Sequence, residues 1–67
     1  MKLIDTQTRK ELKVGDSVVT FRGEEYTLRG FSPPRHASST GRVYINRGSE
    51  YDEEYFPNVI NAKFEGE

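Results

Sequence analysis

Hydrophobic and polar positions alternate along most of this chain, with breaks about every ten residues, the spacing of short strands joined by turns. MKLID, residues 1–5, reads as a short strand, and the polar residues 6–10 read as a turn. Gly15-Asp16 marks a turn ahead of a β-branched run in which Ser17, Val19 and Phe21 alternate with Val18 and Thr20. The hydrophilic break Arg22-Gly23-Glu24-Glu25 suits a hairpin loop. Beyond it Tyr26, Leu28 and Gly30 alternate with Thr27, Arg29 and Phe31, which predicts a second strand pairing antiparallel with the first across Gly23.

The segment SPPRHASSTG, residues 32–41, has no pattern. Pro33-Pro34 removes two backbone donors and fixes φ, so no central strand or helix passes through it, and a long loop is expected. Arg42-Val43-Tyr44-Ile45-Asn46 alternates again as a strand, and residues 47–50 turn. Residues 51–54 are acidic and read as loop or strand entry. Pro57 makes residues 55–60 an edge strand or a turn into a last segment at 61–64, with 65–67 expected to fray. No helical period survives a count.

These elements predict an all-β fold: one small single-domain antiparallel barrel over residues 1–67, SH3-like, with about five short strands. An OB-type barrel would need more chain and a helix. The expected core is Leu3, Leu12, Val14, Val19, Phe21, Tyr26, Leu28, Phe31, Val43, Ile45, Phe56, Ile60 and Phe64.

Composition narrows the picture. Sixty-seven residues support one small core, too little scaffold for most enzyme folds. Such a domain buries roughly 60% of the surface its unfolded chain exposes, so stability is expected to be marginal. The absence of cysteine excludes a disulfide framework and a zinc-thiolate site, and a single His36 is too little for a metal. The longest aliphatic runs are pairs such as Val18-Val19, so no membrane-spanning helix is expected. No basic segment leads into an apolar one at the start, which makes the cytoplasm the expected compartment. High charge and modest hydrophobicity raise the question of disorder, and eight aromatics inside alternating segments argue against it.

The charge distribution says more than its sum of −1. Residues 1–47 carry nine Lys/Arg and five Asp/Glu, while residues 48–67 carry one Lys and six Asp/Glu. Between Tyr26 and Ser49 there is no acid, yet Arg29, Arg35, Arg42 and Arg47 all fall there. Arginine presents a planar fork that matches phosphate. Arg35, His36 and Arg42 bracket a Ser/Thr-rich loop, and Tyr44 would offer a stacking face if Val43 and Ile45 point inward. These six residues, Arg29, Arg35, His36, Arg42, Tyr44 and Arg47, are the candidate binding face. The competing reading pairs the arginines with the acidic C-terminal stretch of the same fold, and a pI near 5.8 is low for a dedicated nucleic-acid binder.

Other chemistry is thinner. The run Glu50, Asp52, Glu53, Glu54 lacks the frame of a calcium loop and reads as a solvated turn guarding an edge. Tyr26, Tyr44, Tyr51, Tyr55, Phe31 and Phe56 raise the possibility of an aromatic groove for a peptide, although small β domains use aromatics mainly as core. No nucleophile, base and orienter stand out, and the glycines form no phosphate-cradling loop, so neither catalysis nor a cofactor is expected.

The string DSVVTFRGEEYTLRGFSPPRHASSTGRVYI, with the later EEYFPNVINAKF, resembles a group of short bacteriophage and prophage proteins of unknown function. They share an FRGE-aromatic-T opening, a PPR loop ending in STGRVY, and a closing FYP- or YFP-type run. The resemblance covers roughly residues 14–64. It implies a viral or prophage setting and supplies no mechanism. The expectation is therefore a small accessory module docking on a protein partner. The alternatives are a nucleic-acid-binding barrel and a self-associating structural component.

Overall fold

Two antiparallel sheets form from six strands, and the computed structural model describes residues 1–35 and 40–66. The strands are β1 (Lys2–Asp5), β2 (Ser17–Val19), β3 (Glu25–Ser32), β4 (Arg42–Asn46), β5 (Glu53–Tyr55) and β6 (Ala62–Glu65). A single 3₁₀ turn, Pro57–Ile60, separates β5 from β6. Strands β2 to β5 form a four-stranded meander, and β1 pairs with β6 across nearly the full length of the chain.

Local chemistry explains the turns. Asp5 Oδ1 accepts the backbone N–H groups of Gln7 and Thr8 at 2.8 and 3.0 Å, which turns the chain out of β1. The chain returns so that Ile4 bridges Glu11 and Leu12 N–H donates to Leu3 O at 2.7 Å. At the β2–β3 hairpin Thr20 is buried, and its hydroxyl oxygen accepts the backbone N–H groups of Arg22 and Glu24. Pro57 starts the 3₁₀ turn, where its missing N–H costs nothing, and Asn61 ends it at φ 55°.

The fold class is as the sequence predicts, but the barrel is not closed. No ladder joins β5 to β6 among the described residues, because the chain between them is a 3₁₀ turn opened by a proline rather than a continuing strand. The described residues form six strands, the addition being the acidic segment that becomes β5. Ser32 belongs to β3, opposite Arg42, so the long loop starts later than the unpatterned stretch suggests. Glu65 is held in β6 opposite Lys2 instead of fraying. His36 and the other residues of 36–39, and Glu67, lie outside the described residues.

The core lies between the sheets. Leu3, Leu12, Ile60 and Ala62 meet Val18, Tyr26, Leu28, Val43 and Ile45, with Phe31, Tyr55 and Phe64 packed against them. Four expected core residues are exposed instead: Val14, Val19, Phe21 (66%) and Phe56 (50%). For β2 the reason is register. Val18 stands opposite Tyr26, which faces inward, so Ser17 and Val19 must face out. In β3 the ladder skips from Leu28↔Ile45 to Gly30↔Tyr44, leaving Arg29 as the extra residue of a bulge. That bulge resets the alternation, so Phe31 packs on the same side as Leu28.

Candidate functional site

Bulge, strand and turn each place one predicted arginine. Arg29 is the extra residue of the β3 bulge, Arg42 opens β4, and Arg47 follows its last residue. Val43 and Ile45 are fully buried, which turns Arg42, Tyr44 and Asn46 to the outer face as expected. Tyr44 is half-buried rather than free, because it crosses to Gly30, where even an added Cβ would lie 3.6 Å from its Cδ2. An aromatic ring covering a strand glycine is a device of sheet stability.

The arginines are engaged within the fold. Arg29 Nε lies 3.6 Å from Asp52 Oδ1, and Arg42 Nε lies 3.5 Å from Glu54 Oε2. Arg47 Nη1 lies 3.5 Å from Glu24 Oε2, an acid of the hairpin and not of the C-terminal stretch. Arg42 also donates to Gly41 O at 2.9 Å and lies over the Phe56 ring at 4.2 Å. The Arg47 guanidinium stands over Tyr26 at 5.4 Å. These pairs are solvent-facing and contribute about 0–1 kcal/mol each. They nonetheless set carboxylates where phosphates would have to bind. Arg35 is exposed and has no ion pair among the described residues, and His36 lies outside them. Of the six predicted residues, Arg42 and Tyr44 therefore share the outer face of β4, and Arg29, Arg42 and Arg47 each face a carboxylate.

The acidic run is also accounted for. Asn46 Nδ2 donates to Ser49 O, Tyr51 O and Asp52 Oδ1 at 3.0 to 3.1 Å, while its Oδ1 accepts Gly48 N–H and Ser49 N–H. One side chain thus closes the β4–β5 loop. Among the described residues no cluster of three or more metal-ligating side chains occurs.

Glu53 gathers the tyrosine hydroxyls. Its Oε1 accepts from Tyr55 at 2.5 Å and from Tyr26 at 3.4 Å. The Tyr55 phenol is pushed up to about 12, first by its hydrogen bond to that carboxylate, then by burial and neighbouring charge. A phenol raised above its unfolded value stabilises the fold fully below pH 10 and loses that contribution as pH rises through 12. Absorbance titration is expected to show a phenolate forming only near pH 12, and Tyr55→Phe to remove that step. An absorbance change near pH 12 that Tyr55→Phe leaves unaltered would refute the assignment.

The feature that sequence reasoning missed is an apolar groove of about 540 Å³ at the open seam. Phe56, Pro57, Ala62 and Phe64 line one part of it, and Pro34 and Thr40 the other. The signal was present in Phe56-Pro57: a proline after an aromatic ended the strand and left the ring at the surface. Of the six aromatics named for a groove, Phe56 lines this one, whereas Tyr26 is buried, Tyr55 bonds Glu53, and Tyr51 stands exposed at the β4–β5 loop. No protein-family model, curated protein or solved structure matches the chain.

Proposed function

We propose that this chain is a small non-enzymatic accessory module of phage or prophage type, acting in the host cytoplasm by docking on a protein partner. The observation that carries the reading is the apolar groove beside β6, with Phe56 half exposed on its rim. Large exposed aromatics beside a concave apolar surface mark protein contacts more than solvated structure. The alternative of nucleic-acid binding loses ground because Arg29, Arg42 and Arg47 already face carboxylates. An SH3-like classification draws support from the order of elements: a meander, a 3₁₀ turn, and a last strand returning to the first.

The test uses the tagged chain as bait in lysate of cells that also express it untagged. Phe56→Asp is expected to lose a prey protein that Tyr51→Asp, altered at a still more exposed aromatic outside the groove, retains. Equal recovery by both variants, or no prey at all, would overturn the docking reading. Binding of short oligonucleotides that fades as salt rises would instead favour the nucleic-acid alternative.

A further inference from the structure

One wall of the groove is a strand edge, and the hydrogen bonds of β1 fix which groups of β6 point out from it. Thr6 N–H donates to Asn61 O, and the register continues Asp5↔Ala62, Ile4↔Lys63, Leu3↔Phe64, Lys2↔Glu65. On its other side β1 uses Leu3 O and Asp5 N–H to engage Leu12 and Lys10. Bonded and non-bonded pairs alternate in an antiparallel ladder. Lys63 and Glu65 therefore spend their backbone groups on β1, while Ala62 and Phe64 turn theirs away from it, where no described strand pairs with them. β6 is the edge strand of its two-stranded sheet. Its side chains divide as well: Ala62 and Phe64 pack inward, and Lys63 lies outward with its Nζ 3.2 Å from Glu65 Oε2.

We propose that the occupant of this edge is a second copy of the chain, paired β6 to β6 antiparallel about a two-fold axis at Phe64. The proposal rests on the groove being a protein-docking site and names what docks there. Three two-fold registers bring outward-facing backbone groups together. Centring on Lys63 sets that ammonium against its own copy, and centring on Glu65 does the same with a carboxylate. Centring on Phe64 sets each Lys63 opposite the Glu65 of the second copy, twice over, and brings the two Phe64 rings to the same inner side. There they extend the Phe31–Phe64 ring contact, whose centroids are 5.8 Å apart. Opposite charges across a strand pair favour their register and like charges oppose it.

The remaining edges fit a second copy less well. Centred on Glu54, β5 would set that carboxylate against itself. The edge of β2 is closed at Phe21, whose N–H donates to Val59 O at 2.9 Å, and Gln7 and Asn61 stand across from it. A five-residue strand pair buries little surface, so the association is expected to be weak and concentration-dependent.

Sedimentation equilibrium of the unaltered chain up to about 1 mM is expected to show a monomer–dimer equilibrium. Lys63→Glu, which leaves acids at both positions, and Glu65→Lys, which leaves lysines at both, are each expected to raise the dissociation constant about tenfold or more. Mixed in equal amounts, the two variants are expected to form a heterodimer tighter than either homodimer. Each variant alone breaks the internal Lys63–Glu65 pair, so a purely structural role for that pair would leave the mixture monomeric. A monomeric unaltered chain, a dimer indifferent to both reversals, or a mixture that fails to assemble would each overturn the second-copy assignment. If prey loss with Phe56→Asp persists alongside a monomeric chain, docking stands and the occupant is another protein. If that prey loss is absent as well, both readings fall.

Discussion

Replacing Gly41 by alanine is expected to remove a large share of the protein's stability. Gly41 is buried at φ +78°, a region that costs an L-residue about 1–2 kcal/mol. A Cβ there would lie 2.6 Å from Phe64 Cε2 and 2.7 Å from Ser32 O. The second contact is backbone within a paired strand, so it cannot swing aside as a flexible side-chain tip would. Overpacking of this kind adds about 1–3 kcal/mol. A domain of this length is expected to have only roughly 3–10 kcal/mol in total. Gly48 supplies the control, since its φ is +98° but nothing lies within 4 Å of an added Cβ. Urea unfolding should place Gly41→Ala well below Gly48→Ala, and equal midpoints would show that the Phe64 contact exerts no pressure.

Leu28→Ala should cost about 2–5 kcal/mol, whereas Phe21→Ala should stay within about 0.5 kcal/mol of the unaltered chain. Leu28 is 0% exposed at the centre of the core, and the surrounding backbone is pinned because Leu28 N–H donates to Asp16 O and Leu28 O accepts Gly15 N–H. A pinned wall collapses poorly onto a cavity, which puts the expected loss in the upper part of the range. Phe21 has the larger side chain, yet it is 66% exposed, with the Arg22 guanidinium over its ring at 5.6 Å. Chemical-denaturation midpoints decide the matter: a Phe21→Ala midpoint as low as that of Leu28→Ala would mean that β2 faces the other way.

Strand positions were legible because alternation is a direct print of the pleat. β1 and β4 fall where the pattern puts them, as does the β2–β3 hairpin. The facing of β2 was not legible. Val18 and Val19 are adjacent and equally apolar, and the inward neighbour Thr20 looks polar until its hydroxyl is seen bonding the hairpin backbone. Nor was the Arg29 bulge, since an inserted residue leaves no mark in a string whose flanking residues, Leu28 and Phe31, are both apolar. Phe56 misled for a related reason: hydrophobicity argued for burial, while the fixed φ of Pro57 decided the chain path. The internal partners of the candidate arginines were not legible, because charge sums along the sequence do not show which acids cross over. Glu24, from an early hairpin, is the partner that Arg47 finds.

The pairing of β1 with β6 bears on how the chain is made. Leu3 meets Phe64, so the contact closes a loop of some sixty residues, for which the length-dependent entropy alone is roughly 3.6 kcal/mol. The β2–β5 meander closes only short loops and can assemble while synthesis continues. Leu3 and Leu12 are synthesised well before Ala62–Glu65, the strand that covers them. Until that strand has emerged the nascent chain therefore carries half a core facing water, and a ribosome stalled before Ala62 would hold a chain fit for chaperones or proteases.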